Sequence, residues 1–266
     1  MTLTPELLEV IGGGRRFGVQ RADCLEWLAA LPESSVDLVF GSPPYEQARL
    51  YLENGEDLDI ARDTEQWVAW MVEVTRAALK ACRGLVAWVV EGQTRKFSYS
   101  ASPLLLAADL KRAGITLRKP PIYHRVGIPG SGGPDWLRND YEFIICATNG
   151  GKLPWSDNTA CGHTPVWEPG GEVSYRQLDG TRVNERKSKL KTTSQATTAK
   201  NGGGEGDVAT VRRKVILPNL ANPGNVVRCL AGGGQLGSPM AHENEAPFPL
   251  KLADFFVRNP VEAAVG

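Results

Sequence analysis

A polar residue, two prolines and an aromatic residue directly follow an apolar run near the amino terminus. Residues 36–40 (VDLVF) predict a buried parallel strand, and the residues after Gly41 are Ser42, Pro43, Pro44 and Tyr45. Ligands bind at the carboxyl ends of strands in open α/β sheets, so these side chains are candidates for a binding site. Two prolines fix the backbone and remove two N–H donors, which leaves nearby carbonyls available to a ligand. With a neutral hydroxyl and a flat ring beside them, they predict a pocket for a planar heterocycle with an exocyclic amine.

The composition is that of a globular protein without an overall charge. The chain has 266 residues, enough for one large domain or for a domain with an insertion. Its formal net charge is zero, so any contact with nucleic acid must come from a local basic patch.

The cysteines and the amino terminus indicate a cytoplasmic protein without a metal site. The five cysteines are scattered, odd in number and without a paired C-x-x-C spacing, so reduced thiols are expected and a zinc site is not. The first residues lack the basic and apolar regions of a signal peptide, and no apolar run approaches the length of a membrane span.

The first half of the chain alternates between strand and helix patterns. A short strand is predicted at 17–20, and Asp23 can cap a helix that ends before Pro32. Asp63 and Gln66 have capping-box spacing before a helix that we expect Gly84 to end. The apolar face predicted for that helix consists of Trp67, Met71, Val74 and Ala78.

Later elements complete an α/β pattern. Residues 85–90 predict a strand buried on both faces, followed by Glu91 as a candidate for lining the pocket or for a structural role. Ser102 predicts an N-cap, with proline at the first helical position. Residues 122–126 and 141–147 predict an antiparallel pair at the edge of the sheet. The order of elements predicts a doubly wound, mostly parallel sheet with helices on both faces.

Three segments are expected along the chain: a core at 1–150, an insertion at 151–214 and a return to the core at 215–266. Between Arg176 and Lys214 there are ten Lys and Arg residues against four Asp and Glu residues. The insertion is expected to be partly disordered. It is either a solvated surface segment or a basic loop that grips phosphates, and a neighbouring base-sized pocket favours the loop.

The carboxyl-terminal segment carries a glycine-rich stretch and a Pro-Phe-Pro sequence. The glycines at 232–237 are not placed between a strand and an immediately following helix, so a flexible turn is favoured over a dinucleotide-binding loop. A helix is predicted at 250–257, directly after Ala246, Pro247, Phe248 and Pro249.

Together these motifs resemble the β class of DNA amino-methyltransferases, which use S-adenosylmethionine. The resemblance rests on residues 22–26, 34–39, 42–45 and 246–249, in this order along the chain. It implies a Rossmann-like methyltransferase fold with a circularly permuted motif order. It also implies duplex DNA as the substrate partner and the insertion 151–214 as the target-recognition region.

The resemblance assigns roles to individual residues. The catalytic residues would be Ser42, Pro43, Pro44 and Tyr45, with Tyr45 stacked on a base flipped out of the duplex. Asp23 would accept a hydrogen bond from the adenine of the cofactor, unless it is only an N-cap. An apolar wall for the cofactor, or ordinary core, would come from Pro247, Phe248 and Pro249. Contacts with DNA are expected from Arg49, Tyr51, Arg186, Lys187, Lys189 and Lys191. For Arg49 and Tyr51 the alternative is that they simply face solvent.

Serine at the first position of the catalytic motif resembles the cytosine-N4 group of the family, with adenine N6 as the alternative. The transfer would be a direct displacement without a covalent enzyme intermediate, which agrees with the absence of cysteine from the motif.

The family also has a glycine loop for the methionine part of the cofactor, and no such loop follows the helix predicted at 250–257. Three hypotheses arise from this difference. The chain is one half of a split enzyme with a second polypeptide, or a DNA-binding relative without activity, or an incomplete reading frame.

Overall fold

The computed structural model describes most of the chain, with gaps. The described residues are 2–46, 52–53, 56–57, 62–127, 132–157, 159–164, 172–176, 180–186, 220–230 and 249–261. The helices are α1 (Pro5–Ile11), α2 (Cys24–Ala30), α3 (Thr64–Ala81), α4 (Ser102–Arg112) and α5 (Leu250–Val261). The strands are β1 (Val36–Gly41), β2 (Leu52–Glu53), β3 (Glu56–Asp57), β4 (Cys82–Val90), β5 (Thr94–Arg95), β6 (Ser98–Tyr99), β7 (Thr116–Leu117), β8 (Ile122–Val126), β9 (Tyr141–Thr148), β10 (Glu172–Arg176), β11 (Arg182–Arg186) and β12 (Val226–Leu230).

The chain divides into two compact units. One consists of Met1–Cys161 with Gly224–Gly266, and the other consists of Gly162–Pro223. The smaller unit contains the antiparallel hairpin of β10 and β11 and a bridge between His163 and Ala221. The segment boundaries expected at 151 and 214 stay a prediction.

The larger unit is built on a mixed sheet with the order β1-β4-β9-β8-β12, in which β7 also pairs with β9. The β1/β4 and β8/β12 ladders are parallel, whereas β9 is antiparallel to β4, β7 and β8. The predicted α/β fold class is confirmed, but the sheet is mixed rather than mostly parallel, because three of its five described ladders are antiparallel. The antiparallel pair was expected at the edge, but β9 lies between β4 and β8. Its apolar residues 143–147 suit this place, because a strand with neighbours on both sides buries both faces.

The strand β1 was expected to be buried, but all six of its residues are only half-buried. Among the described strands it pairs with β4 alone and stands at the end of the sheet order. Its parallel direction was predicted correctly.

Helices cover both faces of the sheet, as a doubly wound fold requires. Alternate residues of β4 point to opposite faces, so Val86 joins one core cluster and Leu85 joins the other. The first cluster contains Leu7, Leu28, Met71 and Leu106, which come from α1, α2, α3 and α4. The second contains Leu252 and Phe256, which come from α5.

The longest helix, α3, begins as predicted and ends earlier than predicted. Asp63 and Gln66 form a capping box, and the four predicted apolar-face residues are buried. Gly84 does not end the helix, because α3 stops at Ala81 and Gly84 lies in β4. A Cβ atom at Gly84 would lie 2.1 Å from the carbonyl oxygen of Asp37. Glycine is therefore needed for the close approach of β1 to β4 rather than for a helix end.

Other local predictions differ from the structure. Ser102 is the first helical residue of α4 and not its N-cap, which is Ala101 in a left-handed conformation. The buried Ser102 hydroxyl has no hydrogen-bond partner among the described residues. Residues 17–20 form no strand, and Phe17 and Val19 are exposed. The strands β10, β11 and β12 were not predicted. The described helices include none that is both long enough and apolar enough for a membrane crossing.

Candidate active site

The side chains predicted to do chemistry lie at one edge of the central sheet. Because β1 and β4 are parallel, their carboxyl ends meet at the same edge. Both β4 and β8 are antiparallel to β9, so β8 also ends there and β9 begins there. This carboxyl edge, as we call it, comprises residues 42–46, 91–99 and 132–142. It is the position at which open α/β sheets bind ligands.

The Tyr45 hydroxyl ties the predicted catalytic motif to the neighbouring strands. It donates to Glu142 Oε2 at 2.7 Å and lies 3.3 Å from the carbonyl oxygen of Val89. The Ser42 hydroxyl donates to the Tyr45 oxygen at 3.3 Å. Glu142 in turn pairs with the guanidinium of Arg125 at 3.2 Å. A continuous polar chain therefore links the end of β1 to β8 and β9.

The surroundings of the Tyr45 hydroxyl in this hydrogen-bond network favour its neutral form. Burial raises the pKa of the Tyr45 hydroxyl well above its usual range, and the negative charge of Glu142 raises it further. Tyr45 therefore keeps its proton and remains a hydrogen-bond donor to Glu142. Ser42, in contrast, is exposed and accessible at the carboxyl edge.

One of the two proline carbonyls accepts a hydrogen bond from another part of the protein. The indole N–H of Trp67, on α3, donates to the carbonyl oxygen of Pro44 at 2.7 Å. The expectation that carbonyls near the prolines stay available is therefore wrong for Pro44. No described residue donates to the Pro43 carbonyl. The Trp67 contact anchors the motif to the helical layer and leaves the Pro43 carbonyl for a ligand.

Glu91 is a second buried acid at the carboxyl edge. Its Oε1 accepts hydrogen bonds from the Tyr99 hydroxyl and from the Gly92 N–H, both at 2.9 Å. Its Oε2 is buried and has no hydrogen-bond partner among the described residues. Burial raises the pKa of the Glu91 carboxyl, and the charge of Glu142 adds to that effect.

Glu46 is a candidate site residue that the sequence analysis missed. Its side chain is 4% exposed, and neither carboxylate oxygen has a hydrogen-bond partner in the described part of the chain. Its backbone carbonyl accepts a hydrogen bond from the Gln93 side chain. Glu46 lines a cleft of about 250 Å³ together with Asp63, Thr64, Gln93, Arg95, Ser98 and Ser100. Its only signal in the sequence is its position directly after Tyr45.

Asp23 is the N-cap of α2. Its Oδ1 accepts from the backbone N–H groups of Leu25 at 2.9 Å and Glu26 at 3.1 Å. Asp23 is exposed, and these two bonds use only one of its carboxylate oxygens. The predicted capping role is confirmed, and the predicted role in cofactor binding stays a prediction.

The predicted cofactor wall is described only at its last residue. Pro247 and Phe248 lie outside the described residues, whereas Pro249 is buried and its carbonyl accepts from Leu252 N at 2.9 Å in the first turn of α5. The ring of Phe256 stacks on Phe40 of β1 with centroids 4.7 Å apart. This contact joins the helix after the Pro-Phe-Pro sequence to the strand that precedes Ser42.

The residues predicted to bind DNA are mostly not described. Arg49, Tyr51, Lys187, Lys189 and Lys191 lie outside the described residues. Arg186 is the last residue of β11, where its backbone pairs with Glu172. Contact of these residues with DNA stays a prediction.

Known proteins resemble this chain in sequence and in fold. No family model matches the chain. The orphan methyltransferase M.BamHII of Bacillus amyloliquefaciens is 27% identical over 163 residues, which are 59% of this chain and 56% of that protein. The chain therefore spans just over half the length of this relative.

A solved structure shares the fold. The structure of PvuII DNA methyltransferase, described as cytosine-N4-specific, superposes with a TM-score of 0.54 at 17% identity. The superposition covers 91% of this chain and 69% of that protein. The comparisons give no support for a second polypeptide. The sequence relationship to M.BamHII and the fold shared with PvuII DNA methyltransferase confirm the predicted resemblance to DNA methyltransferases.

Proposed function

We propose that this chain transfers a methyl group from S-adenosylmethionine to the N4 amine of a cytosine flipped out of duplex DNA. The observation that carries the proposal is the chain of hydrogen bonds from Ser42 through Tyr45 to Glu142 at the carboxyl edge. It presents an exposed hydroxyl beside an aromatic ring of fixed orientation. The relationship to M.BamHII and the fold shared with a cytosine-N4-specific enzyme support the same activity.

The substrate base has to leave the double helix before it can react. The exocyclic amine of a stacked base is inaccessible, and extrusion brings it into a pocket where aromatic side chains stack on it. We assign the stacking face to Tyr45, whose ring is held at its far end by Glu142. Because the substrate is duplex DNA, we also infer a cytoplasmic site of action.

The motif at residues 42–45 would accept hydrogen bonds from the two protons of the cytosine N4 amine. The amine lone pair of cytosine is delocalised into the ring, and acceptors at its hydrogens make the nitrogen a better nucleophile. The Ser42 hydroxyl oxygen and the Pro43 carbonyl are the acceptors that we assign. When the nitrogen takes the methyl group from a bound donor, which would leave as S-adenosylhomocysteine, one amine proton would pass by way of Ser42 to solvent. Preorganised acceptors of this kind lower the barrier because they need no reorganisation during the reaction.

Glu142 has a positioning role in this proposal. Its carboxylate lies 3.2 Å from the Arg125 guanidinium and accepts the Tyr45 proton in a hydrogen bond. Because both of these contacts lie within the protein, we assign Glu142 to the orientation of Tyr45 and not to the role of the base in the reaction.

We assign Asp23 and Pro249, which are described residues, together with Pro247 and Phe248 to the binding of the proposed methyl donor. When bound, S-adenosylmethionine supplies an electrophilic methyl group. Asp23 would hold its adenine amine through the carboxylate oxygen that the N-cap bonds do not use. Pro247, Phe248 and Pro249 would pack on it as an apolar wall, and α5 connects this wall to β1 through Phe256.

The choice of cytosine over adenine rests on Ser42. A neutral hydroxyl at the first position of the motif is the pattern of the cytosine-N4 group, and adenine N6 is the alternative acceptor. The second candidate activity, DNA binding without catalysis, has no specific observation in its favour and serves as an outcome of the test.

The test is transfer of radiolabelled methyl groups from S-adenosylmethionine to duplex DNA by the full chain. We expect incorporation by the wild-type protein, none with Ser42→Ala, and wild-type incorporation with Thr116→Ala, which removes an exposed hydroxyl in β7, as the control. Calorimetry with S-adenosylhomocysteine runs in parallel. Salt-dependent DNA binding without methyl transfer and without cofactor binding would overturn the proposal in favour of a DNA-binding module.

A further inference from the structure

An exposed apolar cluster stands on the carboxyl edge beside the proposed acceptor site. It consists of Phe97, Trp136 and Leu137, which are 72%, 40% and 91% exposed. The rings of Phe97 and Trp136 meet edge to face with centroids 5.6 Å apart. Phe97 comes from the hairpin after β4, and Trp136 comes from the loop between β8 and β9. Two separate segments therefore converge on one apolar projection, which we call the aromatic tip.

The hairpin that carries Phe97 has an unusual turn. The strands β5 and β6 are joined by Lys96 and Phe97, whose φ angles are 47° and 63°. Turns with two positive φ angles favour asparagine and glycine, because other side chains are strained there. Such backbone strain lowers stability and is concentrated at functional sites. At this turn a bulky ring is held outward at a cost to stability.

The opposite segment is shaped to hold Trp136. The Gly133 N–H donates to the carbonyl oxygen of Trp136 at 3.1 Å. A Cβ atom at Gly133 would lie 2.1 Å from the indole ring, and one at Gly132 would lie 2.5 Å from the Trp136 carbonyl oxygen. Glycine at position 133 leaves room for the ring where it meets Phe97, and glycine at position 132 leaves room for the backbone of residues 136–138. The tip is therefore a fixed feature of the edge.

Basic residues flank the tip. Arg95 and Lys96 lie in the hairpin and Arg138 follows Leu137, whereas the loop between β8 and β9 also carries the acidic residues Asp135 and Asp140. Arg138 pairs with Asp140 at 3.5 Å, so the hairpin supplies the excess of positive charge. Arg95, Lys96 and Arg138 are exposed. An apolar projection between positive charges complements the stacked bases and flanking phosphates of a nucleic acid.

We propose that the aromatic tip is a wedge that enters duplex DNA next to the target base and holds open the gap left by its extrusion. Proteins that deform DNA insert phenylalanine and leucine between base steps in this way. Extrusion requires unstacking and unpairing, which are easiest at a mismatched base. This proposal rests on the proposed function, because it needs a base that is extruded toward Tyr45.

The test compares paired and mispaired substrates. Two oligonucleotide duplexes carry the sequence that the wild-type protein methylates in plasmid DNA, with the target cytosine opposite guanine in one and opposite adenine in the other. Single-turnover methylation is measured for Phe97→Ala, Trp136→Ala and the control Phe17→Ala, which removes an equally exposed ring outside the carboxyl edge.

The wedge variants should react about tenfold more slowly than the wild-type protein on the paired duplex and within about twofold of it on the mispaired duplex. Phe17→Ala should equal the wild-type protein on both. Phe97→Gly separates an effect on folding from an effect on function, because glycine adopts a positive φ angle without strain. It should unfold no more easily than the wild-type protein and still lose activity on the paired duplex.

The possible failures are distinct. Wild-type rates for the wedge variants on the paired duplex, or equal losses on both duplexes, would overturn the wedge and leave the proposed function standing. A wild-type protein that methylates no DNA would overturn the proposed function and the wedge with it.

Discussion

The hydroxyl oxygen of Tyr45 lies 2.7 Å from Glu142 Oε2, although the two residues are 97 positions apart in the chain. The contact connects the loop after β1 to the start of β9 across the carboxyl edge. It explains how an aromatic ring outside any regular element keeps one orientation. Because Glu142 also pairs with Arg125, the same contact connects the motif to β8.

The Tyr45 hydroxyl can be removed without removal of the ring. In Tyr45→Phe the Glu142 carboxylate loses one partner, and unpairing of a buried polar group costs about 1–3 kcal/mol. We expect a loss of folding free energy of that size and slower methyl transfer with DNA affinity retained. Tyr45→Ala should lose methyl transfer altogether. Urea unfolding, DNA binding and single-turnover rates check these expectations, and a Tyr45→Phe protein with wild-type rates would contradict the positioning role.

The anchor between Trp67 and Pro44 is tested by a pair of tryptophan variants. Trp67→Phe removes the indole donor to the Pro44 carbonyl, whereas Trp88→Phe removes the indole donor to the Thr75 hydroxyl, in the core. Each loss should lower stability by roughly 1 kcal/mol, which is a typical net value for one hydrogen bond. Only Trp67→Phe should also slow methyl transfer, because only Trp67 holds the motif. Equal effects of both variants on the rate would refute a specific anchor.

The close approach of β1 and β4 predicts intolerance of a side chain at Gly84. A Cβ atom there would lie 2.1 Å from the Asp37 carbonyl oxygen, so Gly84→Ala has to separate the two strands. We expect a loss of at least about 3 kcal/mol of stability, or failure to fold, since overpacking that shifts the backbone costs about 1–3 kcal/mol or more. Gly224→Ala is the control, because a Cβ atom at Gly224 meets nothing within 4 Å. Thermal unfolding of both variants measures the difference.

The buried carboxyl of Glu91 predicts a specific dependence of stability on pH. Its pKa in the folded protein is raised from 4.5 by burial, whereas its pKa in the unfolded chain is not. Below about pH 4.5, Glu91 is protonated in both the folded and the unfolded state. As the pH rises above about 4.5, the unfolded state loses its proton first, so the folded state becomes less favoured until Glu91 ionises as well.

Glu91→Gln should therefore remove part of the decline in stability that begins near pH 4.5. Urea unfolding midpoints measured from acid to neutral pH give the result, and the difference between the two proteins isolates Glu91 from the other carboxyls. An identical pH dependence for both proteins would show that the carboxyl is not perturbed.

Local patterns made part of the site predictable. Asp23 caps α2, and Asp63 with Gln66 caps α3, because a capping side chain bonds to backbone groups two or three residues away. The strand β1 and its direction followed from the apolar run that precedes Ser42. Such features depend on near neighbours in the chain and are visible in the sequence alone.

The partners of the motif were not predictable, because they come from distant parts of the chain. Glu142 and Arg125 belong to strands whose order in the sheet the sequence does not state. Gly84 has the appearance of a helix stop until β1 is placed beside it. Glu46 looks like a surface residue of a polar loop, and only the fold makes it a buried carboxylate. The place of β9 in the sheet interior likewise depends on long-range pairing with β4 and β8.

We expect the motif at residues 42–45 to direct methyl transfer to the N4 amine of cytosine. The most direct measurement is mass spectrometry of nucleosides from duplex DNA treated with the full chain and S-adenosylmethionine. We predict N4-methyldeoxycytidine with the wild-type protein and none with Ser42→Ala. Methyl groups on cytosine C5 would contradict the mechanism, methyl groups on adenine N6 would contradict the assigned base, and unmodified DNA would contradict the activity itself.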